Sequence, residues 1–134
     1  MLSKTQPAST SIPRTRILVV DDNVAALKGC ARLLVQAGYD VAQAEDGLTA
    51  LALVRTYRPA LVLLDLVLPD ISGREVLRQM KADPDLAAIS VVLLTSIATS
   101  LEAMSAGLKV GADDYIARPI GNHELLARVR AVLR

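Results

Sequence analysis

The chain alternates five times between a short, unbroken apolar run and a longer stretch with apolar residues at helical spacing. The runs at residues 17–20, 60–64 and 91–94 are rich in branched side chains, which is typical of strands covered on both faces. Weaker runs at 41–44 and 115–117 predict strands nearer the sheet edges. Because strands that alternate with helices form parallel sheets with right-handed crossovers, the pattern predicts an α/β fold with a five-stranded, doubly wound parallel sheet.

The stretches between and after these runs carry signals for five helices. Gly38 follows the first stretch, where a left-handed cap belongs. Ser72 with Glu75, and Thr99 with Glu102, are capping boxes that predict the starts of the third and fourth helices. The apolar faces predicted for the first, second and last helices comprise Val24, Leu27, Ala31, Leu34 and Val35; Leu48, Leu51 and Ala52; and Leu125, Leu126, Val129, Val132 and Leu133.

Length and composition indicate one folded domain, because 134 residues that are 52% hydrophobic suffice for a single core. Residues 1–15 are rich in Ser, Thr and Pro and are predicted to form a disordered leader, with residues 16–134 as the domain. The single cysteine, Cys30, excludes an intrachain disulfide. Since the chain also lacks a long apolar run, we expect a cytoplasmic protein that makes no membrane contact.

The charge balance argues against a nucleic-acid partner. Fifteen Lys and Arg residues against 14 Asp and Glu leave a formal charge of +1, which provides no broad basic field for a phosphate backbone. With three tyrosines as the only aromatic residues, the chain also has no platform for stacking bases. We therefore predict no direct binding of nucleic acid.

Candidate site residues follow four of the five predicted strands. Carboxyl ends of parallel strands meet at one edge of a sheet, so we expect these side chains to converge. The residues are Asp21, Asp22, Asp65, Thr95, Arg118 and Pro119. Three carboxylates in one place repel one another unless a hard divalent cation lies among them, and Mg²⁺ is the natural candidate. Taken singly, Asp22 or Asp46 is better explained as a helix N-cap, so only the joint placement is specific.

These residues lie in motifs that resemble the receiver domain of two-component response regulators. The resemblance covers about residues 16–134. The motifs that carry the resemblance are ILVVDD at 17–22, LLDLVLP at 63–69, Gly73, LTS at 94–96, GADDY at 111–115, and Arg118-Pro119. It implies a flavodoxin-like fold of five βα units with strand order 2-1-3-4-5.

The resemblance also implies a set of functional residues. Asp65 would be the phosphoacceptor, with Mg²⁺ held by Asp65, Asp21, Asp22 and the backbone carbonyl of Val67. The residues it implies for phosphoryl binding and switching are Thr95, Ser96, Tyr115, Arg118 and Pro119. Such a chain is a signalling domain rather than an enzyme, although it assists its own phosphorylation and dephosphorylation.

The implied partners are a histidine kinase or phosphotransfer protein as donor and an output domain or effector protein as target. The switching face would combine the fourth helix, fifth strand and fifth helix. On it, Asp114, Glu124 and Arg128 resemble residues that form ion pairs between subunits. A weak homodimer is one prediction, and a monomer with solvated charges is the alternative.

The sequence departs from the family pattern in three places, and the departure at Arg118 leaves an alternative function open. Arg118 stands where the family has Lys, Ser72 stands where it often has Asp, and the stretch from Thr95 to Tyr115 is one residue longer than the commonest pattern. Because a planar guanidinium cannot replace a compact ammonium without local change, the alternative is a receiver-like interaction module with impaired phosphotransfer. A flavodoxin-type cofactor binder is disfavoured by two carboxylates where a phosphate cradle belongs, and a haloacid-dehalogenase-type phosphatase by Val67 where it needs Asp.

Overall fold

The computed structural model describes residues 13–95 and 110–134. In chain order the described elements are β1 (Arg16–Val20), α1 (Val24–Gln36), β2 (Asp40–Ala44), α2 (Gly47–Thr56), β3 (Leu61–Asp65), α3 (Gly73–Ala82), β4 (Ser90–Thr95), β5 (Asp114–Ala117) and α4 (Asn122–Leu133). Helix α4 is thus the fifth helix predicted from the sequence. The predicted fourth helix at Thr99 and the predicted site residue Ser96 lie outside the described residues, as does most of the predicted leader.

The five strands form one parallel sheet in the order β2-β1-β3-β4-β5. The predicted fold class and strand order are therefore confirmed. The two weaker apolar runs became the edge strands β2 and β5, because an edge strand has less of its surface to bury. The three strongest runs became β1, β3 and β4 in the interior of the sheet.

Both faces of the central strands are buried, as unbroken apolar runs predict. Val62 and Leu64 of β3 pack in a core with residues of α2 and α3. Leu61 and Leu63 of the same strand pack on the opposite face with residues of α1 and α4. The sheet is consequently fixed between two helical layers, and the carboxyl ends of its strands are held at one edge.

The face predicted for α2 was right only at Leu51, which packs against the core. Leu48 is 61% exposed, whereas Gly47, Ala50 and Val54 face the core. Small residues on that face allow the helix to approach its neighbours closely, and a Cβ at Gly47 would collide with Ile71. The apolar face predicted for α1 was too wide, because Val24 and Val35, the first and last residues of that face, are exposed. The face predicted for α4 is confirmed at its buried positions, Leu125 and Val129.

Side-chain caps begin the first three helices. The Ser72 hydroxyl accepts from the Glu75 amide at 3.1 Å, which confirms the capping box of α3. Asp46 caps α2 by accepting from the Thr49 amide at 2.7 Å. Asn23, not Asp22, caps α1. The N-cap explanation therefore holds for Asp46 and leaves the carboxylate of Asp22 without that role.

Gly73 lets α3 begin directly against the end of β3. Its amide donates to the Leu66 carbonyl at 2.9 Å. A Cβ built at this position would overlap the backbone carbonyl of Asp65 and would lie 3.0 Å from the Leu66 Cα. Glycine is thus the residue that allows the loop after β3 to close tightly behind Asp65.

We predict that Gly73→Ala lowers the free energy of unfolding by about 2 kcal/mol, the typical cost of overpacking where backbone must move. Urea unfolding followed by circular dichroism measures this. Gly29→Ala is the matched control, because Gly29 lies inside α1 with no atom within 4 Å of the added Cβ. The control should gain about 0.5–1 kcal/mol from helix propensity. Equal effects of the two substitutions would contradict the close-approach explanation.

Candidate functional site

Three carboxylates converge at the carboxyl edge of the sheet. Asp21 and Asp22 follow β1, and Asp65 ends β3, the strand paired with β1. One oxygen from each lies within 4.8 Å of the other two. Asp21 is buried at 3% exposure, Asp65 is partly buried and Asp22 is exposed. The cluster is therefore open to solvent at Asp22, whereas the carboxylate of Asp21 is buried beneath it.

Burial and charge both act on Asp65. Burial raises the pKa of the Asp65 carboxyl above its ordinary value, and the adjacent Asp21 charge raises it further, although the Val67 amide and Arg118 act in the opposite direction. The Val67 amide donates to Asp65 Oδ1 at 3.3 Å. The raised pKa indicates that a third negative charge is costly here, which is the electrostatic condition that favours a bound cation.

Arg118 joins the two strands that carry the buried acids. Its Nη1 lies 2.7 Å from Asp21 Oδ2, and its Nη2 lies 3.3 Å from Asp65 Oδ1. Its backbone amide donates to the Thr95 carbonyl at 2.7 Å, and the peptide bond to Pro119 is cis. The sequence indicated that Arg118 lies at this edge, but not that one guanidinium contacts both carboxylates.

Thr95 and Tyr115 occupy neighbouring strands next to the cluster. Thr95 ends β4 and is buried beside the end of β3, where Leu94 is the register partner of Asp65. Tyr115 is buried in β5, in the core shared with α3. Its hydroxyl has no hydrogen-bond partner within the described ranges 13–95 and 110–134.

Val67 and Pro119 belong to the loops that border the site. Val67 lies two residues after Asp65, with its side chain 70% exposed. Pro119 lines a cleft between α1 and α4 together with Arg118 and Cys30. The structure therefore brings the predicted metal and phosphoryl-binding residues that it describes to one edge of the sheet, whereas Tyr115 lies two residues before the end of β5, level with Leu93.

The three residues considered for ion pairs between subunits are paired within one chain. Arg128 contacts Asp114 through Nε at 2.8 Å and Glu124 through Nη1 at 3.3 Å. The hydrogen bonds from Arg128 hold the pKa of Asp114 below its ordinary value. The three residues pair within one chain because α4 packs beside β5, and because Glu124 and Arg128 lie four residues apart on one face of α4.

Asp70 has a role that sequence reasoning missed. Its two carboxylate oxygens accept from the amides of Gly47 and Leu48, each at 2.8 Å. It therefore caps α2 from the loop after β3, across 22 and 23 residues of sequence. Such a contact leaves no local signal, because cap motifs are recognised only between near neighbours in sequence.

Comparisons with known proteins agree with this geometry. A family model described as the response regulator receiver domain matches residues 17–130. The DNA-binding response regulator MtrA of Mycobacterium tuberculosis is 45% identical over 121 residues, which are 90% of this chain and 51% of that protein. The response regulator MprA of a Mycobacterium species is 44% identical over 119 residues, covering 89% of this chain and 50% of that protein.

Solved structures show the same fold. A CheY-like response regulator receiver domain protein from Methanospirillum hungatei has a TM-score of 0.81 and 33% identity, covering 90% of this chain and 94% of that one. The chemotaxis protein CheY4 of Vibrio cholerae has a TM-score of 0.83 and 27% identity, covering 89% and 98%.

The prediction that excludes direct nucleic-acid binding is wrong. The MtrA relatives are named DNA-binding response regulators, and the chain spans about half the length of the curated relatives it matches. The net charge of 134 residues carries no information about the other half of those proteins, so it could not exclude a nucleic-acid partner.

Within the described residues, no helix combines the length and apolar character needed to cross a bilayer.

The match of the family model over most of the chain, the relatives above 40% identity and the shared receiver fold agree with one another. This chain belongs to the response regulator receiver domain family of two-component signal transduction.

Proposed function

We propose that the chain accepts a phosphoryl group on Asp65 from a histidine kinase or phosphotransfer protein, in the presence of Mg²⁺. The observation that carries this proposal is the acidic cluster, in which oxygens of Asp21, Asp22 and Asp65 lie within 4.8 Å of one another. Family membership gives the coarser function of a signalling receiver rather than a classical enzyme.

The donor set fits Mg²⁺, because hard cations prefer carboxylate oxygens and Arg118 offsets only one of the three negative charges of Asp21, Asp22 and Asp65. Asp21, Asp22 and Asp65 would hold the ion, with the Val67 carbonyl as the further ligand that the resemblance implies. When bound, the ion supplies positive charge that offsets the charge of the transferred phosphoryl group.

The transfer chemistry belongs to Asp65. A carboxylate oxygen of Asp65 forms a bond to phosphorus in line with the departing imidazole nitrogen, whose bond to phosphorus breaks as the new one forms. Arg118 Nη2, already 3.3 Å from Asp65 Oδ1, adds positive charge on the same side. The buried Thr95 hydroxyl at the end of β4 is the group that would bind a phosphoryl oxygen.

A charge argument supports a switch. Three carboxylates, a divalent ion and Arg118 together are neutral, and an acyl phosphate on Asp65 adds one negative charge. That excess attracts the Thr95 hydroxyl, and the resulting space admits Tyr115 from the neighbouring strand. Of the face proposed to change, the structure describes β5 and α4. Because relatives twice as long are DNA-binding response regulators, we propose a DNA-binding output as the controlled element.

The alternative of an interaction module with impaired phosphotransfer rested on Arg118. The contacts of its guanidinium with Asp21 and Asp65 support a role inside the site instead.

We predict that acetyl phosphate with Mg²⁺ adds one phosphoryl group to the wild-type chain. Intact-mass spectrometry measures it. Asp65→Asn should show no adduct, because the amide oxygen is a poor nucleophile. Asp40→Asn is the matched control, since Asp40 begins β2 at the opposite edge of the sheet, and it should be modified like the wild type. An unmodified wild type, or an adduct that persists in Asp65→Asn, contradicts the proposal.

A second prediction concerns stability without metal. Because the folded-state pKa of Asp65 is raised, its ionised form weakens the fold at pH 7, and the effect vanishes as pH falls below the ordinary value of 3.8. Asp65→Asn should therefore raise the free energy of unfolding at pH 7 by at most about 1 kcal/mol after solvent screening.

Chemical denaturation at pH 7 and pH 3 measures this difference, with Asp40→Asn as the control. Added Mg²⁺ should stabilise the wild type more than Asp65→Asn, because a ligand stabilises the state that binds it. A wild type more stable than Asp65→Asn in the absence of metal would refute the repulsion argument.

A further inference from the structure

We propose that Arg118 is a built-in counter-cation of the acidic cluster, and that a divalent metal ion binds by displacing its guanidinium from Asp21. Arg118 then sets the metal affinity of this receiver. The inference rests on the proposed metal site at Asp21, Asp22 and Asp65.

Asp21 is the residue for which the two cations compete. Its Oδ1 accepts from the Asn23 amide at 2.9 Å, and its Oδ2 accepts from Arg118 Nη1 at 2.7 Å. The Asp21 side chain is only 5% exposed, so water does not easily take the place of either partner. An ion that shares Oδ2 with the guanidinium would lie beside another positive charge in a poorly solvated place, where repulsion is strong.

The fork geometry of the guanidinium makes Arg118 an effective competitor. Its second nitrogen reaches Asp65 Oδ1 at 3.3 Å, so one side chain holds carboxylates from two different strands. A lysine carries the same charge on a single nitrogen and lacks the planar fork that spans two acceptors. The charge is therefore the same in Arg118→Lys, whereas the two-nitrogen contact with Asp21 and Asp65 is replaced by a single, more strongly hydrated ammonium on a shorter stem.

Only the side chain of Arg118 needs to move. Its backbone amide is fixed to the Thr95 carbonyl at 2.7 Å. The side chain is 28% exposed and borders an apolar cleft of about 220 Å³ between α1 and α4, which Cys30, Leu33 and Leu125 also line. The guanidinium can therefore release Asp21 by rotation of its side chain while β5 keeps its place, and its charge remains on the Asp65 side of the site.

The test is a Mg²⁺ titration of the full, unphosphorylated chain at constant ionic strength, followed by the amide signals of Asp22 and Asn23 in NMR spectra. Arg118→Lys should bind Mg²⁺ about tenfold more tightly than the wild type, a typical size for coupling between two binding events. Arg128→Lys is the matched control, because Arg128 also pairs with a carboxylate, Asp114, away from the cluster. Its affinity should equal that of the wild type.

Equal or weaker binding by Arg118→Lys overturns the inference, because a field effect alone would not distinguish Lys from Arg. Arg118→Met, which has no charge, should bind more tightly still. If Arg118→Lys does not fold, Arg118→Met provides the test. A Mg²⁺ affinity of Arg118→Met equal to that of the wild type would reject displacement. Absence of Mg²⁺ binding in every variant would instead reject the proposed metal site, and the inference with it.

Discussion

The electrostatic repulsion between the carboxylates of Asp21 and Asp65 is the constraint that determines the polar contacts around the site. The two acids are forced together because β1 and β3 are hydrogen-bonded neighbours with buried side chains on both faces. Neither strand can move away without exposing apolar surface, which would cost more than the repulsion. The compensation must therefore come from other elements, and β5 provides it through Arg118.

The loop after β3 is held by contacts in its far half and is exposed nearer to β3. Gly73 anchors its far end against the Asp65 backbone, and Asp70 ties it to the first turn of α2. Val67 lies in the part that remains exposed. A loop fixed in this way presents its backbone to the acidic cluster at little cost in conformational entropy, which is what a preformed binding site requires.

Sequence patterns were sufficient where a single physical rule decided the outcome. Unbroken branched runs identified β1, β3 and β4, because only strands buried on both faces need them. The convergence of Asp21, Asp65 and Arg118 followed from the common direction of parallel strands. Where two faces of a helix are both apolar, as in α2, periodicity could not select between Leu48 and Val54.

The remaining errors concern contacts between distant parts of the chain or outside it. Asp70 reaches α2 across 22 residues, and the fork of Arg128 on Asp114 depends on how α4 packs against β5. Neither can be seen in a local motif. The exclusion of nucleic-acid binding failed for a different reason, because net charge describes only the residues that are counted.

The short edge strands limit the association of copies of this domain through the edges of their sheets. β2 has five residues and begins with Asp40, and β5 has four and begins with Asp114. A sheet edge recruits another chain through a long, flat row of unpaired amides and carbonyls, and short edges that start with a charge offer little of it. The domain can therefore accumulate in a cell, or be joined to other segments, without its sheet becoming a template for aggregation.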